Sequence, residues 1–188
     1  AGTVVTLLLD YYPEEPTPRE YAFANVFKQA KTVASPVLVA ESRLGLRSPF
    51  GGGASRSFED PPLYGDPDSV NHPYYTPPTD NPNMFSNDFG GVHSNSGIPN
   101  KVLYLVIQGD EHYGINVLPL EEDINESRYV ASDIWYNWNR YYLDSEDDFT
   151  IAREKMLQVA YDLFPNDLTN YKTISNAWAS VGVGQQMI

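Results

Sequence analysis

The sequence predicts a mainly α fold with a long irregular loop arm, and three observations predict it. The C-terminal half repeats apolar residues at spacings of three and four, the period of an amphipathic helix. Aromatic content of 13% (14 Tyr, 8 Phe, 3 Trp) gives those helices a core to close around. Between residues 48 and 91 the composition turns to Pro, Gly, Asn, Asp and Ser, which interrupt regular elements. At 188 residues and 41% hydrophobic, the chain is long enough to bury a core of its own.

The elements follow in order. Val4-Val5-Thr6-Leu7-Leu8-Leu9 reads equally as a short buried strand or one buried helical turn, because periodicity does not separate the two. Pro13, Pro16 and Pro18 then break the chain. Pro18 suits the first turn of a helix over residues 19–33, whose Ala22, Phe23, Val26, Phe27 and Ala30 share a face. Val37-Leu38-Val39-Ala40 is a second short apolar run. The arm over residues 48–91 carries Phe58, Tyr64, Tyr74, Tyr75, Phe85 and Phe89, more aromatics than a linker needs, so it reads as an ordered loop. Helix is expected over residues 92–108, with Ile98, Val102, Leu105 and Val106 inward and Gly109 as its stop. The next helix begins at Asn125 or Ser127 and runs to residue 143, bearing Tyr129, Ile134, Trp135, Trp138, Tyr141 and Tyr142. Ser145 followed by Asp148 signals another helix start, with Phe149, Ala152, Met156, Ala160 and Leu163 on one face and Pro165 and Asn166 at its end. A last helix spans residues 168–181, closed by Gly182.

Charge narrows the function classes. Twelve Lys and Arg against 25 Asp and Glu give a net charge of -13. That field repels phosphate backbones, so nucleic acid is not an expected partner. No apolar run reaches the length of about 18 residues that a membrane span needs. The run from Val4 to Leu9 is too short, and lacks the basic lead, to be a signal peptide. There is no cysteine, so disulfides say nothing of compartment.

The densest motif is Gly90-Gly91-Val92-His93-Ser94-Asn95-Ser96-Gly97, with Asp88 before it and Ile98-Pro99-Asn100-Lys101 after it. Around it, in order, stand Ser55-Arg56-Ser57, Asp60-Pro61, Tyr64-Gly65-Asp66-Pro67-Asp68, Gln108-Gly109, His112-Tyr113-Gly114, Asp162-Leu163-Phe164 and Ala177-Trp178-Ala179-Ser180-Val181-Gly182-Val183. This series resembles the C-terminal helical domain of the thermolysin family of zinc metallopeptidases, from about Val39 to Val183. The resemblance implies an orthogonal helical bundle over residues 36–188, preceded by a degenerate or unrelated segment over residues 1–35. It also implies an extracellular or periplasmic setting.

Carried over by position, His93 matches the family's donor to the oxyanion of the tetrahedral intermediate. Asp88 matches the carboxylate that holds that imidazole and favours its protonated form. Arg56 matches the arginine that grips a substrate carbonyl with its rigid fork. Taken singly, each has a plain alternative: a His after two glycines lines a helix start, an Arg in a polar loop is solvated, and Asp88 is a turn residue.

The family's zinc helix, His-Glu-x-x-His, is absent from the chain. If Val4-Val5-Thr6 stands at its start, Leu7 and Tyr11 occupy the two His positions and Leu8 that of the general-base Glu. Matching Glu20-Tyr21-Ala22 to the family's Asn-Glu-Ala puts Tyr21 at the third ligand. Independently of that alignment, a catalytic zinc needs three protein ligands and an open position. The three histidines His72, His93 and His112 include no i, i+4 pair, so no zinc is expected from this chain. Asp144, Glu146 and Asp148 alternate like a calcium loop, but Phe149 replaces the required Gly and Lys155 the closing Glu, so a capped helix start is the better reading. Calcium stays open as a cofactor, with Glu41 as the position that matches a family ligand. Asn125-Glu126-Ser127 is a glycosylation sequon of a kind frequent by chance. Gly51-Gly52-Gly53 precedes no Lys-Ser/Thr and serves loop flexibility.

Two functions follow. One is a non-catalytic, pseudopeptidase domain acting as a structural or protein-binding subunit, with a polypeptide in the remnant cleft. The other is the C-terminal fragment of a secreted zinc metalloendopeptidase whose zinc helix lies on another chain. A helical domain similar only by chance is a third reading, which the ordered motif series disfavours. An unpartnered cleft wall predicts association with another protein chain.

Overall fold

The computed structural model describes residues 56–144 and 147–187. The expected helix over residues 19–33, both apolar runs before residue 41, Glu41 and Ser145 lie outside the described residues. Within them the fold is helical: α1 (Met84–Gly91), α2 (Gly97–Gln108), α3 (Ile124–Asn137), α4 (Phe149–Leu163) and α5 (Leu168–Ser180), with β1 (Asp110–His112) and β2 (Ile115–Val117) between α2 and α3.

In α2 and α4 the core is where the apolar periodicity puts it. Ile98, Val102, Leu105 and Val106 of α2 are buried, as are Ile134 and Trp135 of α3, Ala152, Met156 and Ala160 of α4, and Ile174 and Trp178 of α5. At the centre Trp138 and Trp178 sit edge to face, ring centroids 6.3 Å apart. Trp138 Nε1 donates to the Ala152 carbonyl at 2.8 Å, which satisfies the one polar atom its burial would otherwise strand. An indole of this kind removes about 150–250 Å² from water, a gross gain of about 4–6 kcal/mol. The same periodicity overreaches at Leu163, which is exposed, and of the aromatics on the helix before it Tyr129 and Tyr141 also face solvent.

Helix starts follow acidic caps. Asp148 accepts from the Ile151 N–H at the head of α4, and Asp167 from the Thr169 N–H at the head of α5. The start of α3 falls at Ile124 and not at Asn125 or Ser127, because Asp123 caps it through the N–H groups of Asn125 and Glu126. The Ser127 hydroxyl is already committed to the Val106 and Ile107 carbonyls at the end of α2. After Asn137 the helix widens into a π turn, Trp138–Tyr142, before Leu143 leaves it.

Three departures matter for the site. The helix expected from residue 92 begins only at Gly97, after a 3-10 turn over Ser94–Ser96. In that lead-in the Asp88 carboxylate takes the N–H groups of His93 and Ser94. The arm is not irregular throughout, since it holds a 3-10 turn at Pro61–Tyr64 and α1, whose cap Asn83 accepts from Phe85 and Ser86. Of its aromatics, Phe58 and Tyr75 pack on the core, while Tyr74, Phe85 and Phe89 face solvent. The hairpin β1–β2 was not expected; it turns at Tyr113 and Gly114, both with positive φ.

Candidate functional site

The site is built at the junction of the arm with the start of α2. Asn87, Asp88, Phe89 and Gly90 leave helical geometry, and Asp88 and Phe89 take left-handed φ of 49° and 52°. Two adjacent non-glycine residues in that region carry strain, which persists where the surrounding contacts over-determine it. The result is to aim the Asp88 carboxylate back along the chain. Its Oδ1 accepts from His93 Nδ1 at 2.5 Å. Its Oδ2 accepts from the N–H groups of His93 and Ser94, both at 2.9 Å, and from the Ser94 hydroxyl at 3.1 Å.

Burial pushes the Asp88 pKa up, but the bonds from the His93 ring and from the residue 93–94 backbone and hydroxyl outweigh it, holding the carboxyl below the ordinary value of 3.8. Asp88 is therefore an anion that only accepts, so the imidazole proton facing it sits on Nδ1. The His93 side chain is 57% exposed, so Nε2 is the nitrogen left to face a ligand.

Arg56 stands on the other side of the same turn. Its Nη1 donates to Asp66 Oδ2 at 2.8 Å and to Ser96 Oγ at 2.7 Å. Ser96 Oγ in turn donates to the His93 carbonyl at 2.5 Å. Burial raises the Asp66 pKa against the lowering pull of Arg56, and the charge of Asp88 adds to the rise. Gly97 lets these parts approach: a Cβ there would collide with the Pro67 carbonyl oxygen and lie 2.8 Å from Asp66 Cβ. Asn95 ties the arm down, its side chain exchanging two hydrogen bonds with the Thr76 backbone.

The structure thus brings Arg56, Asp88 and His93 into one connected array. Sequence reasoning assigned no role to Asp66, Ser96 or Asn95, although all three lie inside the Tyr64–Asp68 and Gly90–Gly97 motifs that carry the resemblance. A signal was present in that proximity alone.

Among the described residues no donor set fits zinc. His93 Nδ1 faces Asp88, His72 Nδ1 accepts from the Tyr74 N–H, and His112 Nε2 donates to the Asp68 carbonyl. Among the described residues no three His, Cys, Asp or Glu side chains converge to hold a metal. All three histidines are among them, and the chain has no cysteine, so the remaining residues offer carboxylates alone. At the calcium-like acidic run, Lys155 Nζ sits 2.7 Å from both Asp144 Oδ2 and Asp147 Oδ2. An ammonium ion lies between those two carboxylates.

Comparison with known proteins defines the class. The thermolysin metallopeptidase alpha-helical domain matches residues 43–183. Bacillolysin of Bacillus caldolyticus is 37% identical over 132 residues, 70% of this chain and 22% of that protein. Thermolysin of Alicyclobacillus acidocaldarius subsp. acidocaldarius is also 37% identical over 132 residues, covering 21% of its length. Neutral protease B of Bacillus subtilis (strain 168) is 31% identical over the same share of this chain. The chain belongs to the thermolysin metallopeptidase family, in its alpha-helical domain. It spans about a fifth of the length of the curated relatives it matches.

Proposed function

We propose that this chain supplies the oxyanion-facing wall of a thermolysin-type cleft and acts by holding polypeptide there, without hydrolysing it alone. One observation carries the reading: the Arg56–Ser96–His93–Asp88 array is complete and rests on strained backbone at Asp88 and Phe89. A purely structural subunit has no use for that strain. In this reading Arg56 grips a backbone carbonyl of the polypeptide and His93 Nε2 faces the carbonyl of the bond under attack. Asp88 fixes the ring's orientation and its tautomer. In the family's chemistry a metal activates the attacking water, and no His-Glu-x-x-His occurs in this sequence. Residues 36–188 form the binding domain, residues 1–35 a separate segment, and the setting is extracellular or periplasmic, as the relatives' kinship suggests. No helix among the described residues is long and apolar enough to cross a membrane.

A second reading has its own support. Retention of a complete wall favours a C-terminal piece of a metalloendopeptidase whose zinc helix lies on another chain, which would also be the protein partner. Fluorescein-labelled β-casein tests both. The purified chain should raise the probe's anisotropy, lose that response on His93→Ala plus Arg56→Ala, and leave the casein intact with one equivalent of zinc. Cleavage by this chain and zinc alone sinks the first reading. A co-purifying chain that carries His-Glu-x-x-His, found by intact mass, establishes the second.

A further inference from the structure

The three residues of the wall are joined by a fourth that no motif assigns. We propose that Ser96 is a positioning residue that locks the Arg56 guanidinium to the His93 imidazole, so that a polypeptide seated on one is registered at the other. The polypeptide part rests on the reading above; the lock itself does not.

The geometry is continuous. A serine hydroxyl offers one donor and two acceptor sites. Here it accepts from Arg56 Nη1 at 2.7 Å and donates to the His93 carbonyl at 2.5 Å. That carbonyl and the Ser94 N–H belong to one rigid planar peptide unit. The Ser94 N–H donates to Asp88 Oδ2 at 2.9 Å, and the other oxygen of the same carboxylate holds His93 Nδ1. Displacing the guanidinium therefore pulls on Ser96, tilts the peptide plane and shifts the carboxylate that orients the ring.

Two features make the coupling stiff. Ser96 is 6% exposed, so water does not compete for its hydroxyl, and bonds in series polarise one another. The Nη1 of Arg56 that reaches Ser96 is also anchored on Asp66, itself 8% exposed and seated against the start of α2 through Gly97. An ordinary helix-capping role does not explain Ser96. It occupies the position before α2, yet its side chain makes no capping bond.

Amide exchange at Ser94, read by NMR on the whole chain, tests the lock without any ligand. Arg56→Lys removes the planar fork and should speed Ser94 exchange about tenfold, but less than twofold once Ser96→Ala is present, because residues of one network are non-additive. Ser96→Thr, which keeps the hydroxyl, should restore the full response. The Val159 amide in α4 is the folding control. Should Ser96→Ala lose that protection, Ser96→Cys, similar in shape but a weak donor, replaces it with the same expectations. Equal acceleration in both backgrounds, or none in either, overturns the proposal. A second arm adds the peptide acetyl-Ala-Phe-Leu-Ala-amide to the wild-type chain. It should shift both the Arg56 Nε–H and the His93 ring signals, and in Ser96→Ala only the former. If the peptide shifts neither signal in the wild type, polypeptide binding fails while the exchange cycle still decides the lock. A His93 response undiminished by Ser96→Ala counts against it.

Discussion

Asp88→Asn isolates the charge that organises the wall. The carboxylate accepts four hydrogen bonds, three of them on Oδ2 and one, from His93 Nδ1, on Oδ1. An asparagine can place its oxygen where Oδ2 was and keep three bonds, now neutral and about half as strong. Its NH2 then faces His93 Nδ1–H, donor against donor, until the ring changes tautomer. With charged bonds worth about 1.5–3 kcal/mol and neutral ones about 1, and the site open to water on one side, the net loss is about 2 kcal/mol at pH 7. The sign with pH follows from the lowered Asp88 pKa. The unfolded chain takes up that proton near 3.8 and the folded chain only lower, so the stabilisation is full above 3.8 and disappears as pH falls through the folded value. Urea unfolding at pH 7 and at pH 3 measures it: the gap between wild type and variant should be wide at the first and narrower at the second, with unchanged slope. A gap of equal size at both pH values, or none at pH 7, refutes the assignment of Asp88 as the anchoring anion.

Gly97→Ala should lower stability by about 2 kcal/mol, a melting-temperature fall of about 4–8 °C, since a methyl there meets the Pro67 carbonyl oxygen with no flexible side chain to give way; a rise, as helix propensity alone would predict, refutes the close approach. For His112, burial lowers the pKa below 6.5 against the raising pull of the Asp68 carbonyl. The unfolded chain binds that proton first, so stability should decline as pH drops below 6.5, and His112→Gln should flatten that decline in urea midpoints taken between pH 7.5 and 5.

What the sequence disclosed depends on the range of the interaction. The inward faces of α2 and α4 were legible because a helix repeats its core positions every three or four residues; the start of α4 was signalled by Ser145 followed by Asp148, and the cap is Asp148 itself, with the helix beginning at Phe149. The hairpin was not. Asp110-Glu111-His112 has no apolar alternation, and only the Tyr113-Gly114 turn marks it. The late start of α2 was hidden because the turn before it is held by the Asp88 side chain, five residues upstream of His93, and not by apolar spacing. In the site, Arg56, Asp88 and His93 were named through a family resemblance and not through any local rule. Ser96 and Asp66 were passed over because their partner Arg56 stands 40 and 10 residues away.

That same distribution of contacts explains how the Arg56–Ser96–His93–Asp88 array holds together on a chain without the zinc motif. Every bond in the array joins residues between Arg56 and Ser96, and α2, which carries its far end, is packed by Ile98, Val102, Leu105 and Val106 into the helical core. None of these contacts uses a metal ligand, so folding of the wall is not linked to metal binding in the way a metal-nucleated domain is. The strain at Asp88 and Phe89 is held by hydrogen bonds internal to the turn and not by an ion. A thermal melt should therefore be unmoved by added zinc or by a zinc-selective chelator. A zinc-dependent rise in melting temperature would mean that the donors reside in this chain after all, and the separation of wall from metal would have to be abandoned.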